Sequence, residues 1–185
     1  MSMFGDGLEQ AVHKAFTRPV PKSAPARMRY LVQQLKGTKA VAQTLRISQR
    51  TVERYVKNQI KKPRPDLAAR LEREVKARWQ PQIRAKARET AASTGGIVID
   101  TRARLGYKAP IGSTDETRIR HLTVALPPRH AARLFEAQEQ GAADDRLREI
   151  AAEALKEIYF QDGGRRAGSL EEIRFTDIEH LEFEL

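Results

Sequence analysis

Thr38-Lys39-Ala40-Val41-Ala42-Gln43-Thr44-Leu45-Arg46-Ile47-Ser48-Gln49-Arg50-Thr51-Val52-Glu53-Arg54-Tyr55-Val56-Lys57 is the stretch that organises the N-terminal half of the chain. Its apolar residues recur at helical spacing in two runs, 39–45 and 49–59, parted by a short break. Two short helices set at a sharp angle need a small residue where they cross, and Ala42 supplies it. They also need apolar side chains that lock the pair to a third helix. Val41, Leu45, Ile47, Val52 and either Tyr55 or Val56 fit that need. Thr38 and Ser48 are expected as N-caps, since a hydroxyl can accept from the free N–H groups of a first turn. Arg46 stands where such a turn usually takes glycine; in a left-handed turn it costs on the order of 1 kcal/mol. The stretch reads as a helix-turn-helix at 38–57.

The second helix then exposes Gln49, Arg50, Glu53, Arg54 and Lys57. Arginine and glutamine can pair bidentately with guanine and adenine edges in the major groove. Lys57, Lys61 and Lys62 suit phosphates. The charge distribution agrees. Residues 1–95 carry 21 Lys/Arg against 7 Asp/Glu, and residues 96–185 carry 13 against 17. A polyanion partner is expected on the first half only.

Outward from the motif, Met28, Leu31, Val32 and Leu35 mark a helix over 26–36. Arg18-Pro19-Val20-Pro21-Lys22-Ser23-Ala24-Pro25 is a linker, because prolines interrupt helix. Leu8, Val12 and Phe16 mark a short amphipathic helix before it. After the basic break Lys61-Lys62-Pro63-Arg64-Pro65, Asp66 is expected to cap a long helix with Leu67, Leu71 and Val75 buried. Pro81 continues or restarts that helix to about Ala92. Its Arg70, Arg73, Arg78, Arg84, Lys86 and Arg88 are candidates for non-specific phosphate contacts.

Composition changes at Ser93-Thr94-Gly95-Gly96. Gly96-Ile97-Val98-Ile99-Asp100 has strand character through Arg104, and Arg118–Leu126 alternates as a second strand. A loop is expected over Gly106–Thr117. Helices follow from Pro127-Pro128 to Gln140 and from Asp144 or Asp145, either of which suits the cap of the second. Residues 173–175 and 181–185 read as strand. The expected fold is α+β: an all-helical domain over 1–95 with the helix-turn-helix and a long basic helix, then a small α+β domain over 96–185. The acidic helices at 129–160 are expected to face a protein partner or a second copy, forming a homo-oligomer.

Several function classes drop out. The chain has no cysteine, which excludes disulfides, thiolate zinc sites and a cysteine nucleophile, and fits a reducing cytoplasm. No apolar run reaches membrane-spanning length, and Met1-Ser2-Met3-Phe4-Gly5-Asp6 lacks the regions of a signal peptide. Asp144 and Asp145 are adjacent and so point to different helix faces. Asp100 stands alone, and His13, His121, His130 and His180 lack metal-ligand spacing. No catalytic constellation, intrinsic metal site or bound cofactor is expected.

The chain resembles, end to end, the telomere terminal protein of linear actinomycete chromosomes and plasmids. The resemblance rests on Phe4-Gly5-Asp6-Gly7, Lys14-Ala15-Phe16-Thr17-Arg18-Pro19, Ala24-Pro25-Ala26-Arg27-Met28-Arg29-Tyr30-Leu31, Arg50-Thr51-Val52-Glu53-Arg54-Tyr55-Val56, Trp79-Gln80-Pro81-Gln82-Ile83-Arg84, Gly95-Gly96-Ile97-Val98-Ile99-Asp100-Thr101-Arg102-Ala103-Arg104, Arg120-His121-Leu122-Thr123-Val124-Ala125-Leu126-Pro127 and Phe175-Thr176-Asp177-Ile178-Glu179-His180-Leu181-Glu182-Phe183. It implies a bacterial protein of the nucleoid that caps DNA 5′ ends covalently and primes the patching of the terminal gap. A protein hydroxyl takes the place of a 3′-OH. A DNA polymerase supplies catalysis, Mg2+ and deoxynucleoside triphosphate, so the chain itself is not the enzyme. A telomere-associated protein recruits it to the folded 3′ overhang.

An acceptor hydroxyl must enter a polymerase active site, which favours an exposed loop. Gly106–Thr117 offers Tyr107, Ser113, Thr114 and Thr117, flanked by Arg102, Arg104, Lys108, Arg118 and Arg120. The resemblance implies a threonine, and Thr114 in Gly112-Ser113-Thr114-Asp115 matches it, with Ser113 the alternative. Without the resemblance, the residues suit a transcription regulator with a C-terminal oligomerisation domain equally well.

Overall fold

The computed structural model describes residues 2–108, 115–162 and 172–185. Among these are eight α-helices, α1 Met3–Lys14, α2 Ala24–Gln34, α3 Thr38–Leu45, α4 Gln49–Val56, α5 Pro65–Arg78, α6 Pro81–Thr90, α7 Pro128–Glu139 and α8 Asp144–Leu155. Three strands, β1 Ile97–Lys108, β2 Asp115–Leu126 and β3 Glu172–Glu184, complete an α+β fold, with π-helical turns at Ala91–Gly95 and Lys156–Phe160.

The chain forms two units, Thr17–Pro81 and Met1–Phe16 with Gln82–Leu185. This differs from the expected division at residue 95. The physical reason is α1. Its Phe4, Leu8, Ala11 and Val12 are buried in the same core as the sheet, together with Ala91 at the end of the α6 segment.

In the helical unit, α2 to α5 close around Met28, Leu31, Val41, Leu45, Val52, Tyr55, Leu71 and Val75. Leu31, Leu45 and Leu71 are at most 1% exposed, so truncating any one to alanine costs about 2–5 kcal/mol. Helix ends are sealed across the unit. The Tyr30 hydroxyl donates to the Arg78 carbonyl at 2.6 Å, and Arg29 Nη1 donates to the Val56 carbonyl at 3.2 Å. These bonds satisfy carbonyls that a helix terminus leaves free.

Helix boundaries differ from expectation at α2, which starts at Ala24 rather than Ala26, and at α3 and α5. Gly37, not Thr38, precedes α3. Arg64 precedes α5, with Pro65 at its first position and Asp66 in its first turn, where a carboxylate favours the N-terminal dipole. Of the two alternatives at Pro81, a continued or a restarted helix, the structure has the restart. Trp79 leaves α5 with extended backbone, Gln80 takes φ 46°, and Pro81 restarts the helix as α6.

In the sheet unit the strand order is β2-β1-β3, all antiparallel, with Ile99 opposite Val124 on one side and Phe183 on the other. Alternation along β1 buries Ile97, Ile99, Ala103 and Leu105. Thr101, on the same face, satisfies its buried hydroxyl by donating to the His180 carbonyl at 2.9 Å. Gly96 enters β1 at φ 74°, and a Cβ there would lie 2.3 Å from the Leu126 carbonyl oxygen, so only glycine fits. The tail is one strand, β3, irregular opposite Arg102–Arg104, where Asp177 takes φ 46°.

Asp144 does not cap its own helix, which follows Ala143. It caps α1 instead, accepting from Met3 N at 2.9 Å, Phe4 N at 2.9 Å, Gly5 N at 3.1 Å and Ser2 Oγ at 2.8 Å. Burial pushes the Asp144 carboxyl up. The donors from Gly5, Ser2, Met3 and Phe4 outweigh burial and hold it below the ordinary carboxylate range.

Candidate nucleic-acid interface

The α3–α4 pair is built by its turn. Arg46 adopts φ 52°, ψ 50°, the left-handed conformation that glycine tolerates best. Ile47 N then donates back to the Ala42 carbonyl at 2.9 Å, and Ser48 Oγ accepts from Thr51 N at 3.2 Å to start α4. Val41, Ala42, Leu45, Val52 and Tyr55 are buried as the spacing predicts, and Ile47 and Val56 pack half-buried against them. Burial raises the Tyr55 phenol above its ordinary pKa, countered in part by Arg54.

The opposite face of α4 carries the cations. Arg50, Arg54 and Lys57 are exposed, as are Lys61 and Lys62 in the segment after it. Among the described residues the side chains of these five make no ion pair, hydrogen bond or ring contact. Gln49 is exposed but engaged, donating from Nε2 to Thr38 Oγ1 at 3.0 Å and Glu53 Oε1 at 3.1 Å. Arg73 is exposed on α5. Arg70 is half-buried, with its Nε buried and lacking an acceptor.

Three other cations expected on phosphates are bound within the protein, whereas Lys86 stays exposed on α6. Arg78 pairs with Glu74 in the helical unit. Arg84 and Arg88 lie in the sheet unit, where both grip Glu9 of α1 at 2.7 Å. Lys76 and Arg27 likewise hold Glu72, and the Lys76 hydrogen bond lowers its pKa.

Charge follows the structural units more sharply than it follows the halves of the sequence. Thr17–Pro81 carries 17 Lys/Arg against 4 Asp/Glu, and the rest of the chain carries 17 against 20. Comparison with protein-family models, curated proteins and solved structures finds no match.

The expected acceptor loop is shorter than 106–117, because β1 runs to Lys108 and β2 starts at Asp115. Thr114 and Ser113 lie outside the described residues. Arg102 and Arg104, expected to flank the loop, point from the open face of the sheet and pair with Glu179 and Asp177, each at 2.9 Å. Tyr107 is packed, its ring edge-on to Phe160 at 5.7 Å.

Sequence reading missed two clusters. Asp100 is not alone: His121 and His180 meet its Oδ1 at 3.1 and 3.2 Å, and Thr123 donates to its Oδ2 at 2.6 Å. The Thr123 and His121 hydrogen bonds lower its pKa. The period-two spacing of His121 and Thr123 on one strand was the available signal; their pairing with Asp100 depends on register. Among the described residues no group of three or more His, Asp and Glu is placed to hold a metal ion. The second cluster is aromatic, with Tyr107, Tyr159 and Phe160 gathered at the far end of the β1–β2 pair.

Proposed function

We propose that the chain binds DNA through α3 and α4 acting as a helix-turn-helix, and that it serves as a terminal protein at the ends of linear DNA. The observation that carries the DNA reading is the row of unpaired cations, Arg50, Arg54, Lys57, Lys61 and Lys62, in a unit with net charge +13. A protein face that leaves this many cations without acids is suited to phosphate oxygens, with release of counterions. Arg50 and Arg54 lie four apart on one helix face, which lets both enter one groove.

The terminal-protein reading comes from the end-to-end resemblance. In it, a hydroxyl of residues 109–114, Thr114 with Ser113 as the alternative, attacks the α-phosphorus of a deoxynucleoside triphosphate. A P–O bond to the protein forms, the bond to pyrophosphate breaks, and the hydroxyl proton passes to solvent. The partner polymerase provides Mg2+ and the catalytic groups, and a telomere-associated protein delivers the chain to the 3′ overhang at chromosome or plasmid ends.

Incubating the full chain with a DNA polymerase of the host and radiolabelled deoxynucleotide tests the acceptor. The parent should take up label that survives heat and detergent, and Thr114→Ala should not. Equal labelling of Thr114→Ala overturns that residue's role. A parent that binds a promoter-like duplex tightly but never takes up label favours the transcription-regulator reading.

A further inference from the structure

One acid sits among the cations of α4. Glu53 lies three residues after Arg50 and four before Lys57, both at ion-pair spacing on a helix, yet its side chain pairs with neither. Its Oε1 accepts instead from Gln49 Nε2 at 3.1 Å, and the same amide nitrogen donates to Thr38 Oγ1 of α3 at 3.0 Å. An ionised carboxylate only accepts, so this contact fixes the Gln49 amide with its nitrogen toward Glu53. Both amide hydrogens are then engaged inside the motif. Gln49 keeps no donor for adenine N7 and does not make the bidentate adenine pair open to a free glutamine. Glu53 keeps its Oε2, which accepts from no donor among the described residues. Phosphates repel a carboxylate, so the DNA backbone offers this oxygen nothing. In the major groove its complement is an amine, and the amine that carboxylates take there is cytosine N4.

We propose that Glu53 reads cytosine in the major groove of duplex DNA, accepting from N4 through Oε2. Gln49 and Thr38 are positioning residues that hold the carboxylate for that contact. The inference rests on α3 and α4 docking as a helix-turn-helix, and deepens that reading by naming a base.

The test begins with selection of duplexes from a randomised library by the full chain. Fluorescence anisotropy then compares the selected duplex with versions in which a cytosine analogue lacking only the exocyclic amino group replaces each cytosine in turn. For the parent, one such replacement should weaken binding about tenfold. Glu53→Ala should be indifferent to that replacement. Its affinity for an unrelated duplex should equal or exceed the parent's, because a negative charge is gone. Glu53→Gln should select adenine at that position. Gln49→Ala and Thr38→Val should lose part of the discrimination, and Thr38→Ser, which keeps the hydroxyl, should retain it. The inference is overturned if Glu53→Ala loses as much as the parent on that replacement, or selects the same sequences. A parent that binds duplexes but is weakened by no replacement overturns it alone. A parent that binds no duplex overturns it together with the helix-turn-helix reading.

Discussion

Arg46 and Asp144 show how single residues set this fold and how differently they read. Arg46 was visible in advance as a side chain in a glycine position, because a turn between two short helices is a local object. Its left-handed φ of 52° bears that out. Arg46→Gly should therefore relieve strain of on the order of 1 kcal/mol and raise the melting temperature by a few degrees. Arg46→Val, β-branched and poorly suited to that backbone, should lower it; thermal unfolding by circular dichroism reads both. Asp144 was misread, because its four donors come from residues about 140 positions away. Its pKa is lowered in the folded state, so its contribution to stability is present above the unfolded carboxylate pKa and is lost as pH falls through the folded value. Asp144→Ala should lower stability at pH 7 by about 1–2 kcal/mol, the usual worth of an N-cap. It should also flatten the dependence of the urea midpoint on pH below about 4. An unchanged acid limb in that variant would show that another carboxylate governs it.

At the scale of elements, α2 to α5 were legible because their packing follows from 3.6-residue spacing alone. The ends of those helices were less so. A helix stops where a proline, a left-handed residue or a distant cap stops it, and Tyr30 and Arg29 act from another helix. The break at Trp79–Gln80 matters for function. It divides the basic residues of 66–92 between two units, leaving Arg84 and Arg88 on Glu9 rather than free for phosphate. Arg50, Arg54, Lys57, Lys61 and Lys62 stay unpaired on α4 and just after it, as do Arg73 on α5 and Lys86 on α6. If Lys61 and Lys62 each meet one phosphate, replacing both with alanine should reduce the slope of log affinity against log salt by about 2 for duplex DNA. The same double change in Arg84 and Arg88 should leave that slope alone and reduce stability instead. A salt slope equal to the parent's in the Lys61/Lys62 variant would remove those residues from the interface. The aromatic turn escaped sequence reading for a related reason. Tyr159 and Phe160 follow α8 as two adjacent apolar residues, and only the π-helical turn sends one outward and the other in.

For the whole molecule, charge composition divided the chain correctly in kind but not in place. The basic half is basic because of Thr17–Pro81, and the residues before it belong to the other core. No sequence pattern distinguishes an N-terminal helix that packs on its neighbours from one that packs on a sheet ninety residues later. The two divisions make opposite statements about fragments. Residues 17–81 contain a full core of their own and should unfold cooperatively when expressed alone, although a chain of that size is marginal. Residues 96–185 lack Phe4, Leu8 and Val12, each at most 2% exposed in the sheet core. Burying three such side chains is worth about 5–9 kcal/mol, comparable with the 5–15 kcal/mol that holds an ordinary domain together. The 96–185 fragment should therefore show no cooperative melting transition, and adding a synthetic 1–16 peptide alone should not restore one, because Ala91 and the Arg84/Arg88 grip on Glu9 are also missing. A cooperative transition in 96–185 near the parent temperature would return the boundary to residue 95. Duplex binding should survive in the 17–81 fragment with the parent's salt slope, since every cation left unpaired on α4 and just after it is retained there.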